Sequence, residues 1–191
     1  MGSEHAQFTS HYNDTKDHVF NYFMVRLSYN RAVAEDLLMD IMLKAYEKFH
    51  KFDPKKGTFK TWIFTLAHNH LVNYWRDSKS TSSLDAMEES GFSPATVELN
   101  DETEQNIENE KIQRVLSKMK EGEREVVVLR YIQDLEYGEI STILSKKEGA
   151  IRTKLSRSLK KFEKLYKELY PLVILFVTIL IKWCMNIYNQ L

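Results

Sequence analysis

Glycine and proline are scarce in this chain of 191 residues, which contains six glycines and three prolines. Both residues interrupt helices, so their scarcity favours long helical segments. We find no convincing alternation of apolar and polar residues of the kind that predicts β-strands. The sequence therefore predicts an all-α fold with two helical domains, an acidic linker between them and an apolar C-terminal helix.

Cysteine is almost absent, and so are the signals of export and catalysis. The single cysteine, Cys184, excludes an internal disulfide and is typical of a reducing cytoplasm. The polar first 17 residues lack the apolar segment of a secretory signal, so we expect a cytoplasmic protein. No nucleophile–base pair, phosphate-binding glycine loop or metal-ligand spacing is present, so we predict no catalytic residue, no metal site and no cofactor.

A net charge is also lacking, because 27 basic residues balance 27 acidic ones, but the two kinds are segregated. Between Asp77 and Glu110 ten acidic residues stand against one lysine. Between Lys146 and Lys167 nine basic residues stand against two acidic ones. An acidic middle and a basic end are typical of a nucleic-acid-binding module that follows a segment repelled by nucleic acid.

The basic end carries the pattern of a helix-turn-helix. An apolar stripe from Leu135 to Leu144 is followed by a polar break at 145–148 and a second stripe through Ile151, Leu155 and Leu159. Cations and short hydroxyls lie on the outward face of the second helix, as in helices that enter a major groove, although a solvated charged face is the alternative. The predicted duplex-binding residues are Lys147, Arg152, Thr153, Lys154, Ser156 and Arg157.

Upstream, the apolar spacing predicts three helices. The first covers Lys16–Ser28, the second is capped by Asn30, and the third is capped by Thr58 and ends at Arg76. We therefore divide the chain into a helical domain (1–76), a flexible acidic linker (77–106), a helix-turn-helix domain (107–168) and an apolar tail helix (169–191).

Three blocks in this order resemble a bacterial sigma factor of RNA polymerase, of the extracytoplasmic-function type within the sigma-70 family. They are the segments 34–46, 59–76 and 123–159. The resemblance implies a region 2-like domain at 1–76 and a region 4-like domain at 107–168. This chain departs from the family at Met39, where many members carry glutamine, and at Ser145-Lys146, where the turn is usually glycine followed by an apolar residue.

The resemblance also implies roles for the matching positions. Asp36, Asp40 and Lys44 would dock on the clamp of the polymerase. The segment 52–76 would melt the minus-ten promoter element, and its helix would hold the separated strand. The helix 149–161 would enter the major groove at the minus-thirty-five element. The predicted strand-binding residues are Asn69, Asn73, Tyr74 and Arg76.

The tail from Leu169 to Met185 is almost wholly apolar, apart from Lys182, which Trp183 follows. Its length lies near the lower limit for a membrane span, since about 20 residues are needed. Such a helix would tether the protein to the inner face of the cell membrane. The alternative is a helix that packs on the protein itself or on a partner such as an anti-sigma protein.

These patterns together predict a sigma factor that confers promoter recognition and DNA melting on core RNA polymerase. The expected partners are core polymerase, promoter DNA, an anti-sigma protein and, through the tail, the membrane. The alternatives are a helix-turn-helix regulator that binds duplex DNA without core polymerase, or a membrane-bound adaptor. The aromatic, amide-rich helix from Phe59 to Arg76 favours the sigma factor, because a reader of duplex DNA does not need it.

Overall fold

The computed structural model describes residues 2–82 and 104–171, and every regular element within these ranges is helical. This confirms the predicted all-α class for the described part of the chain. The N-terminal half comprises α1 (Gly2–Arg26), α2 (Arg31–Glu47), a 3₁₀ turn (Phe49–Lys51) and α3 (Phe59–Ser82). The C-terminal half comprises α4 (Glu104–Lys118), α5 (Glu121–Val127) with a π-helical continuation (Val128–Ile132), α6 (Tyr137–Ile143) and α7 (Glu148–Leu169).

Both predicted caps in the N-terminal half are present. The side chain of Asn30 accepts a hydrogen bond from the Val33 amide at 3.2 Å, and Thr58 Oγ1 accepts one from the Thr61 amide at 3.1 Å. These bonds satisfy amides that the first turn of a helix leaves without partners. The helix starts are therefore fixed by residues next to them in the sequence.

Two predicted helix bounds in this half are wrong. The first helix begins at Gly2 rather than Lys16, because Phe8 is buried and anchors the polar N-terminal turns against Phe49 and Phe59. The third helix continues beyond Arg76 to Ser82, so part of the predicted linker is helical. Residues 83–103 of that linker lie outside the described residues.

The helix-turn-helix of the C-terminal half is formed by α6 and α7, which pack against each other. Helix α7 also packs against α5, and α6 packs against the π-helical continuation of α5. Ser145 in the turn adopts the left-handed conformation, with a φ of 51° rather than the usual negative value. Glycine takes this conformation without steric cost, whereas other residues do not. The turn therefore adopts a backbone conformation that suits glycine, although serine stands at this position.

The predicted tail helix lies almost entirely outside the described residues, which end at Pro171. None of the helices in residues 2–82 and 104–171 combines the length and apolarity that a membrane crossing requires.

The two halves pack closely against each other. Helices α1 and α3 contact α5, its π-helical continuation and α6. One apolar core runs through both halves, from Phe23 and Phe64 on one side to Val126, Leu129 and Leu135 on the other. In this closed arrangement the start of α3 lies directly against the segment 133–139.

Candidate nucleic-acid and polymerase interfaces

An open pocket of about 930 Å³ lies at the start of α3. One side is aromatic and is formed by Phe49, Phe52 and Phe59. The other side is the exposed loop that carries Lys55 and Lys56. Aromatic rings offer stacking surfaces to unpaired bases, and lysines attract phosphates. The pocket thus combines both groups that a single nucleic-acid strand requires.

Local hydrogen bonds shape the loop that carries these lysines. The carboxylate of Asp53 accepts from the Lys55 amide at 3.0 Å, and the Asp53 carbonyl accepts from the Lys56 amide at 3.0 Å. The cap at Thr58 then begins α3. Turns of this kind hold a short loop in one shape, so both lysines stand at fixed positions beside the aromatic wall.

Further along α3, the predicted strand-binding residues fall on one face. Asn69, Asn73 and Arg76 are all exposed and lie three or four residues apart, so they are neighbours on the helix surface. Tyr74 is half-buried and packs against the core. Asn69 lies about 15 Å along the helix axis from Phe59 at a rise of 1.5 Å per residue. The polar face therefore extends the surface that begins at the pocket.

The predicted polymerase-binding residues lie on α2 and differ in exposure. Asp36 and Asp40 are exposed, whereas Lys44 is half-buried. Lys44 Nζ donates to His70 Nδ1 at 3.2 Å, and His70 Nε2 lies 3.5 Å from the Asp40 carboxylate. Burial lowers the pKa of His70, and the charge of Lys44 lowers it further. A neutral imidazole thus joins the two predicted residues to α3.

Beside these residues lies an exposed apolar stripe that the sequence analysis missed. Met39, Leu43 and Tyr46 are 72%, 60% and 49% exposed. Their spacing of four and three places them on one face of α2. In the sequence, Met39 stood out only as a departure from the family. The signal that would have revealed the stripe is the helical spacing of four and three residues from Met39 to Leu43 and Tyr46.

The six predicted duplex-binding residues lie on α7 or, for Lys147, directly before it, and all except Lys154 are exposed. The Nζ of Lys154 lies against Gly122 at the start of α5. Burial lowers the pKa of Lys154, and the charge of Lys146 lowers it further. Arg152 is exposed, but its guanidinium is held in place by an ion pair with Glu148 and by stacking on Tyr137, 4.0 Å from the ring centroid. Arg157 makes no such ion pair with a described residue.

A buried polar network, also missed, joins the two halves at Glu125 of α5. Its carboxylate accepts hydrogen bonds from His68 Nδ1 at 2.7 Å and from the Tyr22 hydroxyl at 3.0 Å. Arg26, whose side chain is 1% exposed, lies 3.5 Å from Glu125 and 2.7 Å from Glu121. Burial raises the pKa of Glu125, but the bond from His68 and the charge of Arg26 outweigh it, so that pKa is lowered overall.

A second set of contacts joins the halves at the rim of the pocket. The Glu139 carboxylate accepts hydrogen bonds from the hydroxyls of Thr58 at 3.3 Å and Thr61 at 2.7 Å. Lys60 Nζ donates to the Gln133 carbonyl at 2.6 Å. Two hydroxyls and a cation beside the pocket are thus occupied by acceptors of the C-terminal half.

A helix-turn-helix with an exposed cationic face, together with an aromatic pocket beside lysines, defines an all-helical DNA-binding protein. The sequence profile of sigma-70 region 2 matches residues 11–81, and that of sigma-70 region 4 matches residues 109–162. These matches cover more than half of the chain, and they fall on the two halves in the family's order. The chain belongs to the sigma-70 family and to its extracytoplasmic-function group, whose members give RNA polymerase its promoter specificity in transcription initiation.

Curated relatives and a solved structure agree with this assignment. The chain is 26% identical to the RNA polymerase sigma factor YlaC of Bacillus subtilis over 157 residues, which cover 80% of this chain and 88% of YlaC. It is 28% identical to the sigma factor SigM of the same organism over 145 residues, which cover 75% and 86%. The sigma factor RpoE of Bartonella quintana, solved with the anti-sigma factor NepR, shares the fold with a TM-score of 0.67 at 21% identity, covering 84% of this chain and 97% of RpoE.

Proposed function

We propose that the pocket at the start of α3 and the polar face of α3 capture the separated promoter strand. The observation that carries this proposal is the pairing of an aromatic wall with Lys55 and Lys56 in one open pocket. Stacking on an aromatic ring contributes about 1–3 kcal/mol per base, which offsets the few kcal/mol needed to unstack it. Asn69, Asn73 and Arg76 then contact the same strand farther along the helix, with Tyr74 fixing the helix end.

The polymerase-docking surface comprises the exposed carboxylates Asp36 and Asp40 and the apolar stripe of Met39, Leu43 and Tyr46. An apolar stripe with a charged border is typical of a surface that a partner covers. Lys44 contributes from inside this surface, because its bond to His70 holds α2 against α3. Affinity then comes mainly from the stripe, and the carboxylates set the orientation.

The exposed face of α7 contacts duplex DNA at the minus-thirty-five element. Lys147, Thr153, Ser156 and Arg157 reach the groove directly. Arg152 reaches it once its guanidinium leaves Glu148 and the Tyr137 ring. Lys154 reaches it only after its ammonium leaves Gly122, which the burial of that side chain opposes.

The two halves separate before both promoter elements are bound. The elements lie about 25 base pairs apart, which is roughly 85 Å at 3.4 Å per base pair. In the closed arrangement α3 touches the segment 133–139, so its pocket and the helix-turn-helix lie too close together to reach both. A chain of the length between Ser82 and Glu104 reaches at most about 80 Å when extended, and the halves themselves supply the remainder.

An anti-sigma protein is the proposed regulator of this opening. The structure of RpoE that shares this fold was solved with an anti-sigma factor, and the apolar stripe on α2 offers the same surface that polymerase requires. The protein acts in the cytoplasm, where polymerase and promoter DNA are found, and it works by binding rather than by catalysis.

Transcription with purified core polymerase tests the strand-capture proposal. The double variant Asn69→Ala/Asn73→Ala is expected to reduce promoter opening, measured by the fluorescence of 2-aminopurine placed in the minus-ten element. Binding to a duplex that carries only the minus-thirty-five element stays unchanged. Asn21→Ala, an exposed asparagine on α1, is the matched control. Normal opening by the double variant would remove both residues from the strand-binding surface.

A further inference from the structure

Two residues of α1, Gln7 and His11, line the pocket at the start of α3. They lie four residues apart, so they share one face of the helix. The match to sigma-70 region 2 begins at residue 11, and the turn that carries Gln7 precedes it. One wall of the pocket is therefore supplied by His11, the first matched residue, and by Gln7 on a helical turn upstream of the matched region.

The imidazole of His11 is built into the aromatic side of the pocket. Its ring stacks on Phe59 with centroids 4.4 Å apart and an angle of 7° between the planes. Phe49 and Phe52 lie around it at 6.0 Å and 5.9 Å. Phe59 itself is buried, whereas His11 is only half-buried, so the histidine presents this stack to the pocket.

The extension is held rigidly enough to serve as a wall. Phe8, on the same turns of α1, is buried and contacts Phe49 and Phe59 edge-to-face at 5.4 Å and 6.3 Å. Gln7 is exposed beside it. Because Phe8 fixes the backbone, a ligand in the pocket meets His11 and Gln7 in positions that need little rearrangement.

We propose that His11 stacks on one unpaired base of the promoter strand and that Gln7 hydrogen-bonds to the edge of that base. Stacking accepts any base, whereas a carboxamide presents both a donor and an acceptor and so distinguishes between bases. Lys55 and Lys56 on the opposite side hold the phosphates of the same strand. The N-terminal extension thus sets the base preference at one position, an inference that rests on the proposed strand capture.

The test uses the full chain bound to core polymerase and a pool of short single-stranded DNA oligonucleotides of random sequence. The oligonucleotides that bind are selected and sequenced. A fluorescent oligonucleotide of the preferred sequence then reports affinity. His11→Ala is expected to weaken binding about 5- to 100-fold, the range that corresponds to the loss of one stacked base. His11→Tyr, which keeps an aromatic ring, restores most of the affinity. Gln7→Ala relaxes the preference at a single position.

Asn13→Ala is the control, because Asn13 is exposed on the same helix as His11 but does not line the pocket. Unchanged affinity and preference in the His11→Ala and Gln7→Ala variants, with weaker binding by Phe52→Ala, would overturn the inference and leave the pocket in place. If Phe52→Ala also binds normally, strand capture by this pocket fails as well. Weakening by His11→Ala that tyrosine does not restore would assign His11 a purely structural role.

Discussion

Replacing Glu125 with alanine removes the acceptor at the centre of the contact between the two halves. Its carboxylate is only 10% exposed and receives bonds from Tyr22 and His68 while facing Arg26. All three partners belong to α1 or α3, whereas Glu125 belongs to α5. In the closed chain the variant leaves these donors buried without their acceptor. In an open chain they are hydrated instead, so the closed state alone bears the cost.

The size of the effect follows from the burial of Arg26. Removing one partner of a buried ion pair costs about 3–5 kcal/mol. Since 1.4 kcal/mol corresponds to a factor of ten in an equilibrium constant, the equilibrium between closed and open chains shifts by roughly 10²- to 4 × 10³-fold towards the open form. The bond that Arg26 keeps to Glu121 places the result nearer the lower value.

Small-angle X-ray scattering of the free chain measures this shift. A compact chain of 191 residues has a radius of gyration of about 16 Å, and separation of the halves increases it. The control is Glu123→Gln, because Glu123 pairs with Lys161 inside the C-terminal half and takes no part in the contact between the halves. A Glu125→Ala chain that keeps the wild-type radius while remaining folded would refute this reasoning.

Further outcomes are expected from the other surfaces. Arg157→Ala lowers affinity for minus-thirty-five duplex and reduces the salt slope by about 0.9, the value for one phosphate contact; the slope stays normal in Lys164→Ala, farther along α7. Ser145→Gly stabilises the helix-turn-helix by about 1 kcal/mol in urea unfolding, because glycine relieves the left-handed strain at φ 51°. Leu43→Asp weakens binding to core polymerase at least about tenfold in a pull-down titration, since a charge is buried in the interface, while Leu43→Met does not. The closed state weakens as pH falls from the ordinary pKa of 4.5 through the lower pKa that Glu125 has in the closed chain, because over this range the open chain binds a proton that the closed chain does not.

Each of these outcomes has a clear contrary result. An unchanged salt slope would remove Arg157 from the duplex contacts. Equal free energies of unfolding for the wild-type chain and the Ser145→Gly variant would show that the turn carries no strain. Full polymerase affinity in Leu43→Asp would place docking elsewhere on the N-terminal half. A radius of gyration that is constant between neutral pH and pH values below the closed-state pKa would remove the charge of Glu125 from the forces that hold the halves together.

The features predicted correctly from the sequence depend on near neighbours. Asn30 and Thr58 cap the helices that follow them, because a cap bonds to amides within one turn. The helix-turn-helix was predicted for the same reason, since its two apolar stripes are local and regular. The start of α1 was missed because a single anchor, Phe8, outweighs the polar residues around it, and such an anchor has no periodicity of its own.

The network at Glu125 could not be predicted in this way. Tyr22 and Glu125 are 103 residues apart, and Arg26, His68 and Glu125 lie on three different helices. A charge on a helix has the same appearance in a sequence whether solvent or another helix covers it. Only the packing of the two halves, which no local pattern specifies, turns these residues into partners.

The strand capture proposed above would compete with closure for hydrogen-bond donors at the start of α3. Glu139 accepts hydrogen bonds from Thr61 and from Thr58, which lines the pocket, and the Gln133 carbonyl accepts one from Lys60. An incoming strand carries phosphate oxygens, which are also acceptors with negative charge, so it competes with Glu139 and Gln133 for these donors. Each contact that a strand forms at the start of α3 therefore removes one that holds the halves together. By linkage, whatever favours the open chain also favours binding of the strand, and Glu125→Ala should strengthen binding of single-stranded DNA to the free protein.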